Sequence, residues 1–227
     1  MALARVSGQT PQAAGGTGIT SIQVTLPQNV VAGNAIMAVG KHRNSGTVTF
    51  SDGLGNTWGN DVTSPVQTTD LVTIGSAKNI ATGGSCTITF STTASANRMG
   101  LSAMEYSGFS GGAALDKTAS SNAASGTSVD TTATATTTAA DELLIGGCTD
   151  GLGTTYTWTN SFTLVAENTA TGRQSMADRI VAATGAYNAT ATLGSSTSWT
   201  AAIATYKAVG GGSPSPAPSL GLLGVGQ

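Results

Sequence analysis

The side chains able to do chemistry in this chain are few and scattered. One histidine, His42, serves the whole sequence, set between Lys41 and Arg43. A hydrolytic triad needs its histidine beside a nucleophile and an acid, and two cations supply neither, so His42 reads as an exposed turn residue at a strand end. Cys86 and Cys148 fall on expected strands and, with His42, lack zinc-ligand spacing. One disulfide is open to them, but without a secretory signal two buried free thiols are the preferred state. Glu105, Glu142 and Glu167 are isolated from other carboxylates in sequence, whereas a glycosidase opposes two of them across a cleft. Asp52, Asn56, Asn60 and Asp61 are oxygen donors of the kind calcium takes, but not in the order of an EF-hand loop. The expectation is no enzyme, no cofactor and no metal.

Aromatic residues offer a second chemistry. Trp58, Trp158 and Trp199, with Tyr156, could stack on a sugar ring where asparagine or aspartate stands near. Their placement favours a duller role. Trp58 and Trp158 each follow a similar turn, and aromatics at matching places plug the ends of a β core.

Those turns belong to a larger repetition. Residues 52–58 read Asp-Gly-Leu-Gly-Asn-Thr-Trp and residues 150–158 read Asp-Gly-Leu-Gly-Thr-Thr-Tyr-Thr-Trp. Upstream, Ala32 to Met37 answers to Ala140 to Ile145; downstream, Thr87 to Phe90 answers to Thr190 to Leu193, and Tyr106 to Tyr206. Preserved order of several landmarks points to internal duplication of a β-rich unit. In each copy Asp52, Gly53 and Gly55, or Asp150, Gly151 and Gly153, are expected to build a structural turn, the aspartate capping backbone amides and a glycine taking positive φ.

Composition removes whole classes of function. Charged residues make up 9% of the chain, against roughly 25% in an ordinary soluble domain. Nine Lys and Arg, thinly spread in a chain of net charge −2, cannot neutralise a run of phosphates, so no nucleic-acid partner is expected. No stretch approaches the ~20 apolar residues that span a bilayer, and Met1 to Ser7 lacks the apolar core of a secretory signal. Without secretion the sequon Asn188-Ala189-Thr190 carries no meaning. A surface of hydroxyls and small side chains costs little to desolvate, which suits burial against neighbouring subunits.

The elements that position these residues are strands. Apolar alternation at Ile22, Val24 and Leu26, at Val48 and Phe50, and at Cys86, Ile88 and Phe90 recurs between Gly, Asn, Asp and Pro turns, and no window carries a helical stripe. The fold class is all-β, a jelly-roll or Greek-key β-sandwich of about a dozen strands. We expect an N-terminal arm over 1–17 and one sandwich domain over 18–209, both of whose sheets draw strands from two halves, 18–112 and 113–209, of about 95 residues each. The join at 109–128 is Gly/Ser/Ala-rich, and the threonine run 131–138 reads as a strand with an outward threonine face. Residues 210–227 form a Gly/Pro-rich C-terminal arm. Its Pro214, Pro216, Pro218, Leu220, Leu222, Leu223 and Val225 are the expected partner-binding residues, by strand addition or by leucines entering an apolar groove.

The segment from Val48 to Trp58, with Glu105-Tyr106-Ser107-Gly108 downstream, resembles jelly-roll sandwich proteins of tailed-phage virions and bacterial surfaces, over about residues 18–208. The resemblance brings no catalytic residue with it. It implies a structural virion protein of the capsid decoration or head-fibre type, assembled in the host cytoplasm, whose partners are the major capsid protein and further copies of itself, as in a trimer. A carbohydrate-binding module using Trp58, Trp158 and Tyr156 is the alternative. A tail-tube or baseplate component is the second.

Overall fold

The computed structural model describes residues 2–43, 46–93, 98–109 and 111–209. These residues form antiparallel strands and no helix. The first half contains β1 (Ala4–Arg5), β2 (Gln12–Thr17), β3 (Ser21–Thr25), β4 (Ala35–Arg43), β5 (Val48–Asp52), β6 (Trp58–Thr63), β7 (Asp70–Ala77), β8 (Thr87–Thr92) and β9 (Arg98–Ser107). The second contains β10 (Ala113–Asp130), β11 (Asp141–Asp150), β12 (Tyr156–Thr159), β13 (Thr163–Asn168), β14 (Gln174–Ala182) and β15 (Thr190–Ala208).

Each half builds its own pair of layers. In the first, a large sheet ordered β1-β9-β4-β7-β6, with β2 also on β9, faces a small sheet ordered β3-β8-β5. In the second, a large sheet ordered β10-β15-β11-β14-β13 carries a small layer made where β12 and the end of β10 flank the start of β15. The long strands β10 and β15 thus run through both layers, bending at register shifts around Gly126. Strand order is the same in the two halves, and so are key registers. Ala35 opposes Tyr106 as Leu143 opposes Tyr206; Val24 opposes Ile88 as Val129 opposes Ala191; Phe50 opposes Phe90 as Tyr156 opposes Leu193.

This arrangement corrects several expectations. Among the described residues no hydrogen-bonded ladder crosses between halves, so the halves do not share sheets; the two large sheets instead pack face to face. Residues 2–17 are no loose arm, because β1 and β2 pair with β9. The Gly/Ser/Ala-rich join contains most of β10, whose small side chains pack beside β15. The C-terminal arm at 210–227 lies outside the described residues.

Burial patterns follow from the layering. The outer strands β3 and β8 alternate strictly, one face inward and one to solvent. The inner strands β4, β7 and β11 are buried on both faces, because one side meets the small layer and the other meets the opposite half. Met37, Val39, Val72, Ile74, Met104, Leu143, Ile145, Met176, Ala202 and Ala204 fill this central seam. A Cβ on Gly147 would lie 2.8 Å from Val39 Cγ1 and 2.9 Å from Val72 Cγ1, so only glycine lets the sheets come this close.

The threonine run 131–138 is not a strand. Thr131, Thr134 and Thr137 are buried at every third position, and their amides donate to the carbonyls of Ala189, Tyr187 and Gly185. Their hydroxyls accept in return from the Ala189, Tyr187 and Gly185 amides, at 2.9, 3.1 and 3.1 Å. Each threonine thus supplies donor and acceptor as one backbone unit of a ladder would. Thr131→Val keeps the shape but leaves the buried Ala189 amide without its acceptor. It should lower unfolding free energy by about 1–3 kcal/mol, read from urea denaturation; an unchanged midpoint would contradict this role.

Candidate functional site

The most elaborate polar arrangement lies along the central seam, where the halves exchange contacts. From the first half, the Tyr106 hydroxyl donates to Asp178 Oδ2 of β14 at 2.8 Å. From the second, the Tyr206 hydroxyl donates to Asp61 Oδ2 of β6, also at 2.8 Å. A cation closes each pair. Arg5 grips Asp178 with two N–H groups, at 2.7 and 2.8 Å, and Lys78 Nζ sits 2.5 Å from Asp61 Oδ1. Ser76, at the register place that Asp178 holds in the second half, donates to Asp61 instead. Burial first, and then the neighbouring carboxylate, pushes both tyrosines well above their usual range. Both hydroxyls stay protonated and act as fixed donors.

Other charges are consumed in the same way. Glu105 is fully buried and accepts from Gln9 Nε2, the Val31 amide and Asn34 Nδ2 at 2.8, 2.8 and 2.7 Å, tying the N-terminal segment to the loop before β4. Burial would raise the Asp116 carboxyl, but the Thr138 hydroxyl and amide, with Lys207 and Lys117, hold it far below the usual carboxylate range. Burial raises Glu142 and Glu167. Of the nine Lys and Arg and eleven Asp and Glu, all within the described residues, only Asp141 is exposed. The outer faces carry hydroxyls instead. Thr25 bonds Thr87, Thr49 bonds Ser91 and Thr159 bonds Thr190 across neighbouring strands, at 2.8, 2.8 and 2.7 Å.

The residues singled out from sequence fall as follows. Asp52 accepts from the Leu54 and Asn56 amides, Asn56 Nδ2 and Trp58 Nε1. Asp150 accepts from the Leu152, Gly153 and Thr154 amides and the Tyr156 hydroxyl. Gly55 and Gly153 take φ of 73° and 79°, so both turns close alike, with Gly53 and Gly151 following the capping aspartate. Their oxygens are occupied by the turn itself, and among the described residues no group of His, Cys, Asp or Glu is placed to hold a metal. Yet the two turns are not equivalent in the fold: one joins β5 to β6, the other β11 to β12.

Trp58 stacks on Phe50 at 5.6 Å, Trp158 packs toward Phe162 while donating to Ser175 Oγ, and Tyr156 is buried. These contacts seat the aromatics at the core margins. Cys86 and Cys148 are free, buried thiols in separate clusters. His42 is not an exposed turn residue: it is 2% exposed on β4, its ring 6.0 Å from Phe90. The strand continues to Arg43, and alternation turns position 42 toward the small sheet. Gly108-Phe109-Ser110-Gly111-Gly112 has the spelling of a nucleophile elbow but not its setting. It joins two strands where an elbow joins strand to helix, and Ser110 lies outside the described residues. Pro214, Pro216, Pro218, Leu220, Leu222, Leu223 and Val225 lie outside them too. The reciprocal tyrosine–aspartate pairs escaped sequence reading, because their partners are 72 and 145 residues apart.

Comparison with protein-family models, with curated proteins and with solved structures finds no match.

Two outcomes follow from the seam. Tyr106→Phe and Tyr206→Phe each remove one donor from a buried carboxylate and should each destabilise the fold by about 1–3 kcal/mol; a neutral result for either would show that its pair is incidental. The second concerns pH. Burial lowers Lys41 from its ordinary 10.5 to about 8, against the opposing pull of Asp70. Above pH 8 the folded chain releases a proton that the unfolded chain keeps, so stability rises with pH. Burial raises Cys86 to about 12 and Cys148 well above their ordinary 9.0, so above pH 9 the unfolded chain loses protons first and stability falls. The urea midpoint should therefore climb between pH 8 and 9 and then decline. Lys41→Met should abolish the climb, and a climb that persists in this variant would assign it to another group.

Proposed function

We propose that this chain is a non-catalytic structural subunit of a tailed-phage particle, a decoration or cement protein seated on the capsid. The observation that carries the reading is the scarcity of exposed charge: charged residues make up 9% of the chain, and all of them but Asp141 are buried or half-buried. A protein with so little exposed charge has weak self-repulsion and a low desolvation cost, conditions that favour close packing against like or unlike neighbours. The seam, stapled at both tyrosine–aspartate pairs, makes the block rigid, so little entropy is lost when it docks. Engagement of Asp52, Asp150 and Glu105 by neighbouring donors favours a structural role for these carboxylates over a catalytic one. The likeness to virion jelly-roll proteins is a fold-level analogy and supplies the kind of particle.

Capsid shells lacking this chain, mixed with the full-length protein, provide the test. The protein should co-sediment with shells and raise their resistance to heat, and a version ending at Val209 should bind roughly tenfold or more weakly. Failure to bind shells, together with a monomer at high concentration, would overturn the proposal. So would stacked rings in electron micrographs, which belong to a tail tube, or a saturable tryptophan fluorescence change with host polysaccharide, which belongs to a sugar binder.

A further inference from the structure

At one end of the seam the apolar packing gives way to cations from both halves. Side chains alternate along a strand, and Ser102 of β9 receives a 2.6 Å hydrogen bond from Gln174 Nε2 of the second half. Even-numbered residues of β9 therefore face that half, Arg98 among them. Lys41 opposes Gly100 in the β4–β9 ladder and Arg43 opposes Asp70 in the β4–β7 ladder; both share the seam-facing side with Val39. Across the seam stands Arg173, immediately before Gln174, its Nη1 donating to the Gly151 carbonyl. Gly172 backs against Gly100, with 3.1 Å between its Cα and a Cβ placed there.

Negative charge at this end is insufficient. Asp70 Oδ1 alone is shared by Lys41 Nζ at 3.2 Å and Arg43 Nε at 2.9 Å. Asp150, the other nearby carboxylate, is saturated by its own turn. Arg98 Nε and Nη1 and Arg173 Nε are buried without a hydrogen-bond partner. Arg173 and Arg43 oppose the charge on Arg98, as Arg43 and Arg98 oppose that on Lys41. Unpartnered guanidinium donors in a desolvated setting are costly, and an oxyanion offers what they lack: several acceptors and compensating charge, in a shape that guanidinium groups match.

We propose that this end of the seam binds a small tetrahedral oxyanion of the phosphate or sulfate class, held between Arg98 and Arg173 from opposite halves, with Lys41 and Arg43 beside it. The anion locks the halves together, so it binds the folded chain and not the unfolded one. The test uses the full chain and inorganic phosphate, with chloride at matched ionic strength as reference. Phosphate should raise Tm saturably beyond chloride, and calorimetric titration should show one site per chain. Arg98→Gln and Arg173→Gln should each weaken binding roughly tenfold or more, while Arg179→Gln, an arginine over the Tyr187 ring outside the cluster, should leave it unchanged. Absence of saturable binding by the unmodified protein would overturn the proposal irrespective of how the variants fold, and so would undiminished binding in Arg98→Gln. Neither result bears on attachment to shells, which is read separately.

Discussion

Face-to-face burial of the two large sheets is the constraint on which the rest of this molecule depends. A sheet covered on both sides has no face left for water, so β4, β7 and β11 are largely apolar along their middles, and the charged residues buried on them, Lys41, Asp70, Glu142 and Asp150, find partners inside the protein. Side chains entering from opposite halves must also fit one another. Glycines provide the closest approaches, and methionines and alanines fill the irregular gaps between. Polar groups caught in the seam need partners from the other half, which is why each half lends a tyrosine to a carboxylate of its neighbour. Such buried pairs add register to the packing: a slip of one residue would separate both tyrosine hydroxyls from the carboxylates they meet.

Withdrawal of charge inside the protein has a consequence outside it. Most Lys, Arg, Asp and Glu side chains are engaged in ion pairs or caps within the chain, leaving outer faces rich in threonine and serine whose hydroxyls bond one another across strands. Such a surface exerts little long-range electrostatic steering and little repulsion. Under the proposed function, recognition of neighbouring subunits rests on shape and short-range contacts. The exception is the cationic end of the seam, where positive charge exceeds what Asp70 offsets.

Local sequence was a good guide to local structure and a poor guide to place. The Asp-Gly-Leu-Gly segments fold into the same capped turn because the aspartate, the following amides and a positive-φ glycine form a self-contained unit. That self-containment lets the unit sit at different corners of the two halves, so its repetition does not mark equivalent positions, whereas the Ala35/Leu143 and Tyr106/Tyr206 matches do. Threonine at 131–138 read as a strand with an outward threonine face, whereas the segment lies outside the strands and turns buried hydroxyls inward to complete ladders. His42 was misplaced because a Lys-His-Arg triplet reads as solvent-facing, while the seam holds Lys41 and the small sheet holds His42.

The sequence alone determined the all-β fold class, the alternating outer strands, the capped turns and the scarcity of charge, since each depends on residue type and near-neighbour spacing. Only the tertiary structure decided that the halves form separate layered units joined at a seam, which carboxylates meet which tyrosines, and where the cations gather. Those outcomes depend on pairings between residues far apart in the chain. Such pairings are selected by the simultaneous fit of whole sheets, a property that no short stretch of sequence carries.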